Sequence, residues 1–106
     1  MVHSSTVEEE SYRESRLCRL LGNPLAFAVV QLLAESGELT VSEIARALGR
    51  SVQRVSTVLG TLRVAEVVRY NTDGRRNRYR LKHPREIKGL ITALSRFVKA
   101  AAIVRG

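Results

Sequence analysis

Six polar side chains crowd one short stretch of the chain: Ser51, Gln53, Arg54, Ser56, Thr57 and Thr61. A little further on stand three arginines, Arg75, Arg76 and Arg78. The first group carries hydrogen-bond donors, acceptors and threonine methyls. A carboxamide can pair with adenine, a guanidinium with guanine, and a methyl can meet the thymine methyl. The second group supplies forked cations that match phosphate oxygens. Together these types suit double-stranded DNA, with bases read by one group and backbone held by the other. Such chemistry requires a rigid element to present the first group and a projecting one to carry the second.

The flanking residues predict both elements. Val52, Val55, Val58, Leu59 and Leu62 recur with the helical period, so a helix over about 52–65 turns them inward. Gln53, Thr57 and Gly60 then fall on the opposite arc, with Arg54, Ser56 and Thr61 beside them. Ser51 can cap this helix. Before it, Thr40-Val41-Ser42-Glu43 has the form of a capping box, a hydroxyl followed three residues later by a carboxylate. It opens a helix whose buried stripe is Ile44, Ala45 and Leu48. Gly49 stands where a left-handed residue would end that helix. Ala45 is small where the two helices must cross, and Val55 and Val58 lock the second against the first. The pair therefore reads as a helix-turn-helix.

After it, Val67–Thr72 and Arg75–Lys82 alternate as two strands, with Val67, Tyr79 and Leu81 as the members that lean on the helices. Asp73-Gly74 between them predicts a type I′ turn, both central residues at positive φ. The tip would project as a wing, onto phosphates or into a narrow minor groove. Upstream, Tyr12, Leu17, Cys18, Leu20 and Leu21 give a first helix an apolar side. Ser5 or Thr6 could cap it, with Glu8, Glu9 and Glu10 in its first turn. Pro24 opens a second helix over about 24–36 with almost no polar face, expected to be buried at the centre. Pro84 precedes a last helix with a stripe of Ile87, Leu90, Ile91, Leu94, Phe97, Val98, Ala101 and Val104.

Charge is segregated along the chain. Residues 1–45 carry seven acids and three arginines, whereas 46–85 hold ten arginines and Lys82 against only Glu66 and Asp73. The net charge of +8 thus arises where the helix pair and hairpin lie, pointing to a polyanionic partner. With 106 residues one domain is expected, over 7–106, with 1–6 a disordered polar tail. Aromatic residues make up only 5% of the chain, so Leu, Val, Ile and Ala must form the core, which favours packed helices. The fold class predicted is mainly α with a small β-hairpin, in the order α-α-α-α-β-β-α.

The pieces Leu20-Leu21-Gly22-Asn23-Pro24, Val29-Val30-Gln31-Leu32-Leu33, Glu38 to Ala45 and Gly74-Arg75-Arg76 resemble the ArsR-type winged helix-turn-helix repressors over about 17–82. The resemblance implies a dimeric transcription regulator that binds an operator of two-fold symmetry. It also has gaps. Many members sense soft metals through a Cys-x-Cys pair where this chain has Leu39-Thr40-Val41-Ser42. Others bind zinc through Asp and His on the last helix, where residues 85–106 have neither. The family's recognition helix often reads Val-Ser-x-His-Leu; here it is Val55-Ser56-Thr57-Val58-Leu59, so an atypical operator is expected.

A zinc site needs about four ligands, mostly Cys or His. Cys18, His3 and His83 are all the chain offers, so neither metal nor other cofactor is expected. Cys18 reads as a small buried residue, or as a thiol meeting its twin if the first helix lies at a dimer seam. No nucleophile and base are arranged for catalysis, so no enzyme is expected. No stretch approaches the roughly 20 apolar residues of a membrane span, and a cytoplasmic protein is expected. Leu17, Leu21, Leu90, Leu94, Phe97 and Val98 form more apolar surface than one small core can cover, which predicts a homodimer through the terminal helices. Two other readings fit the same elements: a winged helix that binds protein, and a non-specific chromatin-type DNA binder.

Overall fold

The computed structural model describes residues 2–102, and their side chains over 6–102. Five helices and three short strands follow in the order α1 (Val2–Leu21), α2 (Pro24–Ser36), β1 (Leu39–Thr40), α3 (Val41–Leu48), α4 (Val52–Val64), β2 (Val68–Asp73), β3 (Arg76–Leu81) and α5 (Pro84–Ala101). The architecture is a winged helix-turn-helix, as the sequence predicts.

α2 is the central strut. Its uncharged apolar sequence buries Leu25, Ala26, Val29, Val30 and Leu33. Asn23 caps it by accepting from the Ala26 N–H at 3.0 Å, and Pro24 fills a position that has no use for an N–H. α1 meets α2 at 92° and rests on the core through Leu17, Leu20 and Leu21. α1 is helical from Val2 on, taking in most of the stretch expected as a tail, while Met1 lies outside the described residues. A cap at Ser5 or Thr6 is therefore ruled out, and Glu8, Glu9 and Glu10 lie past the first turn. Cys18 is exposed rather than buried, because the three leucines beside it take the side of α1 that faces the core. No single helix among the described residues is long and apolar enough to cross a membrane.

The hairpin is part of a larger sheet. β1 pairs antiparallel with β3, giving three strands in the order β1-β3-β2. Two residues are too few to alternate, so nothing in the sequence announces β1. Its Thr40 serves two elements at once, lying opposite Arg78 in the sheet and capping α3. The capping box forms in full: Thr40 Oγ1 accepts from the Glu43 N–H at 3.2 Å, and Glu43 accepts from the Thr40 N–H at 2.8 Å.

The turn of the ribbon differs from the one expected. Asp73 pairs with Arg76, so Gly74 and Arg75 form the two-residue loop. Only Gly74 has positive φ, at 66°. Glycine at the first central position is the type II′ arrangement. The shift sets Tyr70 opposite Tyr79, their rings 5.3 Å apart, and Val68 opposite Leu81. An Asp-Gly loop would have set Tyr70 against Asn77. Aromatic and apolar cross-strand pairing outweighs the turn preference of Asp73-Gly74.

The hydrogen bond from the Thr40 backbone is the largest influence holding the Glu43 carboxyl below its ordinary range; burial opposes it, and the Thr40 hydroxyl and the Arg78 and Arg76 charges add to it. A carboxylate whose folded-state value is depressed contributes stability at neutral pH, and that contribution is lost as pH falls through the folded value. Thr40→Ala should cost about 1 kcal/mol of stability. Glu43→Gln keeps an acceptor for the Thr40 N–H but cannot ionise. Urea midpoints of wild type and Glu43→Gln should therefore differ at neutral pH and converge as pH falls through the depressed folded value of the carboxyl.

Candidate nucleic-acid interface

The interface begins with the turn between α3 and α4. Gly49 adopts the left-handed conformation, φ 64° and ψ 40°, and the Arg50 N–H reaches back to the Ala45 carbonyl at 3.0 Å. Ser51 then caps α4, its hydroxyl accepting from the Arg54 N–H at 3.1 Å. Val55, Leu59 and Leu62 are fully buried. Val58 is half-buried against the same core. Val52, expected inward with them, is 52% exposed; it occupies the first position of α4, where the helix end stands clear of the core.

With that stripe fixed inward, Ser51, Gln53, Arg54, Ser56, Thr57 and Thr61 are all exposed. Thr57 Oγ1 donates to the Gln53 carbonyl at 3.0 Å and Thr61 Oγ1 to the Thr57 carbonyl at 3.3 Å. Each hydroxyl proton is thus spent on the helix, leaving lone pairs and a methyl to face outward. Ser51 Oγ accepts the cap bond with one lone pair and keeps its proton and a second lone pair to offer. Gly60 shares the outer arc, and a Cβ built there would meet nothing within 4 Å.

The ribbon has two unlike faces. Val68, Tyr79 and Leu81 are buried in the core, with Tyr70 at its edge. Arg63, near the end of α4, lies over the Tyr70 ring at 5.9 Å and joins helix to ribbon. The alternate residues Arg69, Asn71, Asp73, Arg76, Arg78 and Arg80 share the other face. Of the three arginines expected to hold phosphate, Arg75 and Arg76 stand exposed at the tip. Arg78 is half-buried and paired with Glu38 at 3.7 Å. The other ion pair among the described residues joins Lys82 to Glu66, where the ribbon meets α4 and α5. The Lys82 hydrogen bond and charge hold the Glu66 carboxyl low. Glu66 itself takes a left-handed φ of 66° without being glycine. Arg69 and Arg80 were not in the expected site; they lie directly opposite each other on the outward face.

At the other end of the molecule α5 presents an apolar stripe. Ile87 is buried and Ile91 half-buried. Leu90, Leu94, Phe97 and Val98 are uncovered, Phe97 at 70%. Val104, expected on the same stripe, lies outside the described residues. Leu17 and Leu21 are half-buried against the chain's own core. No group of three or more His, Cys, Asp or Glu among the described residues could hold a metal ion.

Comparison with known proteins bears on this geometry. The profile of the HVO_A0114 family matches residues 23–86, which run from α2 through the helix-turn-helix and ribbon to the start of α5. The chain belongs to the HVO_A0114 family. Its structure is similar to solved transcriptional repressors and to a solved winged helix-turn-helix domain. The antimony-specific transcriptional repressor AntR is 28% identical with a TM-score of 0.75, over 87% of this chain and 83% of that one. The transcriptional repressor BigR of Xylella fastidiosa is 26% identical with a TM-score of 0.71, over 85% of this chain and 91% of that one. A homodimeric winged helix-turn-helix domain of Mycobacterium bovis, Mb0332, shares the fold at 23% identity and a TM-score of 0.76, over 88% of each chain. No curated protein matches the chain by sequence.

Gly60 generates a prediction that needs no partner. A Cβ fits there and glycine weakens a helix interior, so Gly60→Ala should stabilise the chain by up to about 1 kcal/mol, read from thermal melting.

Proposed function

We propose that this HVO_A0114-family chain is a homodimeric, sequence-specific DNA-binding regulator of transcription, acting as a repressor that occludes a promoter. One observation carries the reading: an outward polar face on α4, flanked by a ribbon whose tip arginines have no ion-pair partner among the described residues. α4 would enter the major groove, with Gln53, Arg54, Ser56, Thr57 and Thr61 at base edges and nearby phosphates. Arg75 and Arg76 would hold the backbone or a narrow minor groove beside it. The likeness to solved repressors, AntR and BigR, supports the same reading.

The uncovered stripe of α5 supports the homodimer. Pairing these helices about a two-fold axis hides Leu90, Leu94, Phe97 and Val98, with Leu17 and Leu21 at the margin. It also repeats the α4 face, so the operator would be pseudo-palindromic, with half-sites one helical turn or a multiple apart. No metal enters this scheme, and regulation would have to use other chemistry.

Selection of bound sequences from a random duplex pool tests the reading. It should enrich an inverted repeat, and enrichment of nothing would overturn it. Arg75→Ala with Arg76→Ala should weaken binding to every duplex alike and flatten the salt slope by about one to two. Gln53→Ala should instead relax preference at a few base pairs, each worth about 1–3 kcal/mol. Gly60→Ala, despite its stabler fold, should bind the selected duplex less tightly, because its methyl sits where α4 and DNA would meet. Phe97→Glu should yield a monomer by sedimentation and lose most of the affinity for the selected repeat.

A further inference from the structure

The outward face of the ribbon carries an arrangement that the fold does not explain. Arg69 on β2 and Arg80 on β3 are direct cross-strand partners. Like charges in that relation repel. Glu66 acts on Arg69 through space, but no acid closes an ion pair with either guanidinium among the described residues. The acids around the sheet are committed elsewhere: Glu38 to Arg78 and Glu66 to Lys82. Asp73 sits opposite Arg76 at the far end of the ribbon. Glu43 is bound to the Thr40 backbone. Among the described residues neither Arg69 nor Arg80 has an ion-pair partner. Asn71, next to the pair on the same face and opposite Arg78, is neutral; its amide oxygen accepts from Arg80 at 3.0 Å but brings no charge. The free fold thus leaves two opposed guanidinium groups without an ion pair. A polyanion would relieve the repulsion and gain two forked donors at once.

The pair is also remote from the tip. At about 3.4 Å per residue along a strand, Arg80 lies about 14 Å from Arg76, too far for one phosphate to serve both. It faces the other way from α4, since the opposite face of the ribbon holds Val68, Tyr79 and Leu81 in the core and Tyr70 against Arg63.

We propose that the outward face of the ribbon, centred on Arg69 and Arg80, is a second phosphate site that takes DNA backbone flanking the half-sites read by α4. The site rests on the regulator reading and extends it, because the footprint becomes longer than the two major-groove contacts require. Flanking duplex adds affinity without adding sequence preference.

The test uses the duplex recovered by selection, either trimmed to about 20 base pairs or flanked by about 10 base pairs of mixed sequence on each side. For the wild-type chain the flanks should tighten binding about tenfold and steepen the salt slope by about two, roughly one for each phosphate neutralised. Arg69→Gln with Arg80→Gln should lose that gain and keep the affinity for the trimmed duplex. Arg69→Gln alone, at an exposed position, should retain the fold, melt no lower than wild type and lose about half of the added slope. The inference is overturned if flanks add nothing, if the gain survives in the double variant, or if the trimmed duplex is weakened equally. Absence of any duplex binding would overturn the regulator reading as well, whereas specific binding without a flank effect overturns this inference alone.

Discussion

Three side chains on α4, Val55, Leu59 and Leu62, are each at 0% exposure, and the placement of every outward group depends on them. They lie on one helical stripe and fill the space between α2, α3 and the ribbon. Rotating the helix would pull branched side chains out of a close-packed interior, and the interior has no alternative filling. The polar arc has its direction because the apolar arc has no freedom. The glycine turn at Gly49 and the Ser51 cap decide where α4 begins; the buried stripe decides which way it looks.

The elements that could be read from the sequence are those with a local signature. α2 announces itself by its unbroken apolar composition, α3 by a capping box, the turn by Gly49, and α4 by Ser51 and a regular stripe. What could not be read depends on contacts between distant residues. β1 exists because Leu39 and Thr40 happen to meet Tyr79 and Arg78. The ribbon turn moved by one residue because Tyr70 seeks Tyr79, a pairing invisible to a rule about Asp-Gly. Val52 follows the period of its helix yet lies beyond the core, since periodicity fixes direction and not depth. Cys18 looked like core material until three leucines occupied the inward side of α1. In the candidate site, the α4 residues were legible because one helix presents them. Arg69 and Arg80 became a pair only once the strands had a register.

The charges follow a similar logic. The acids close to the sheet, Glu38, Glu43 and Glu66, each serve a structural purpose, as ion-pair partner, cap and junction. They offset only the cations next to them. Arg75 and Arg76 at the tip, and Arg69 and Arg80 on the outward face, have no ion-pair partner among the described residues. Within one basic segment, some cations are thus tied to carboxylates of the fold and others are left to face outward.

Thr40 belongs to two elements at once, lying in the sheet opposite Arg78 and holding the first turn of α3 with its hydroxyl. The ribbon and the helix pair are consequently joined at one residue, with no linker between the α4 face and the ribbon. Such a molecule can exchange the outer side chains of α4 without disturbing the joint. It cannot alter the spacing between the α4 face and the ribbon without rebuilding it.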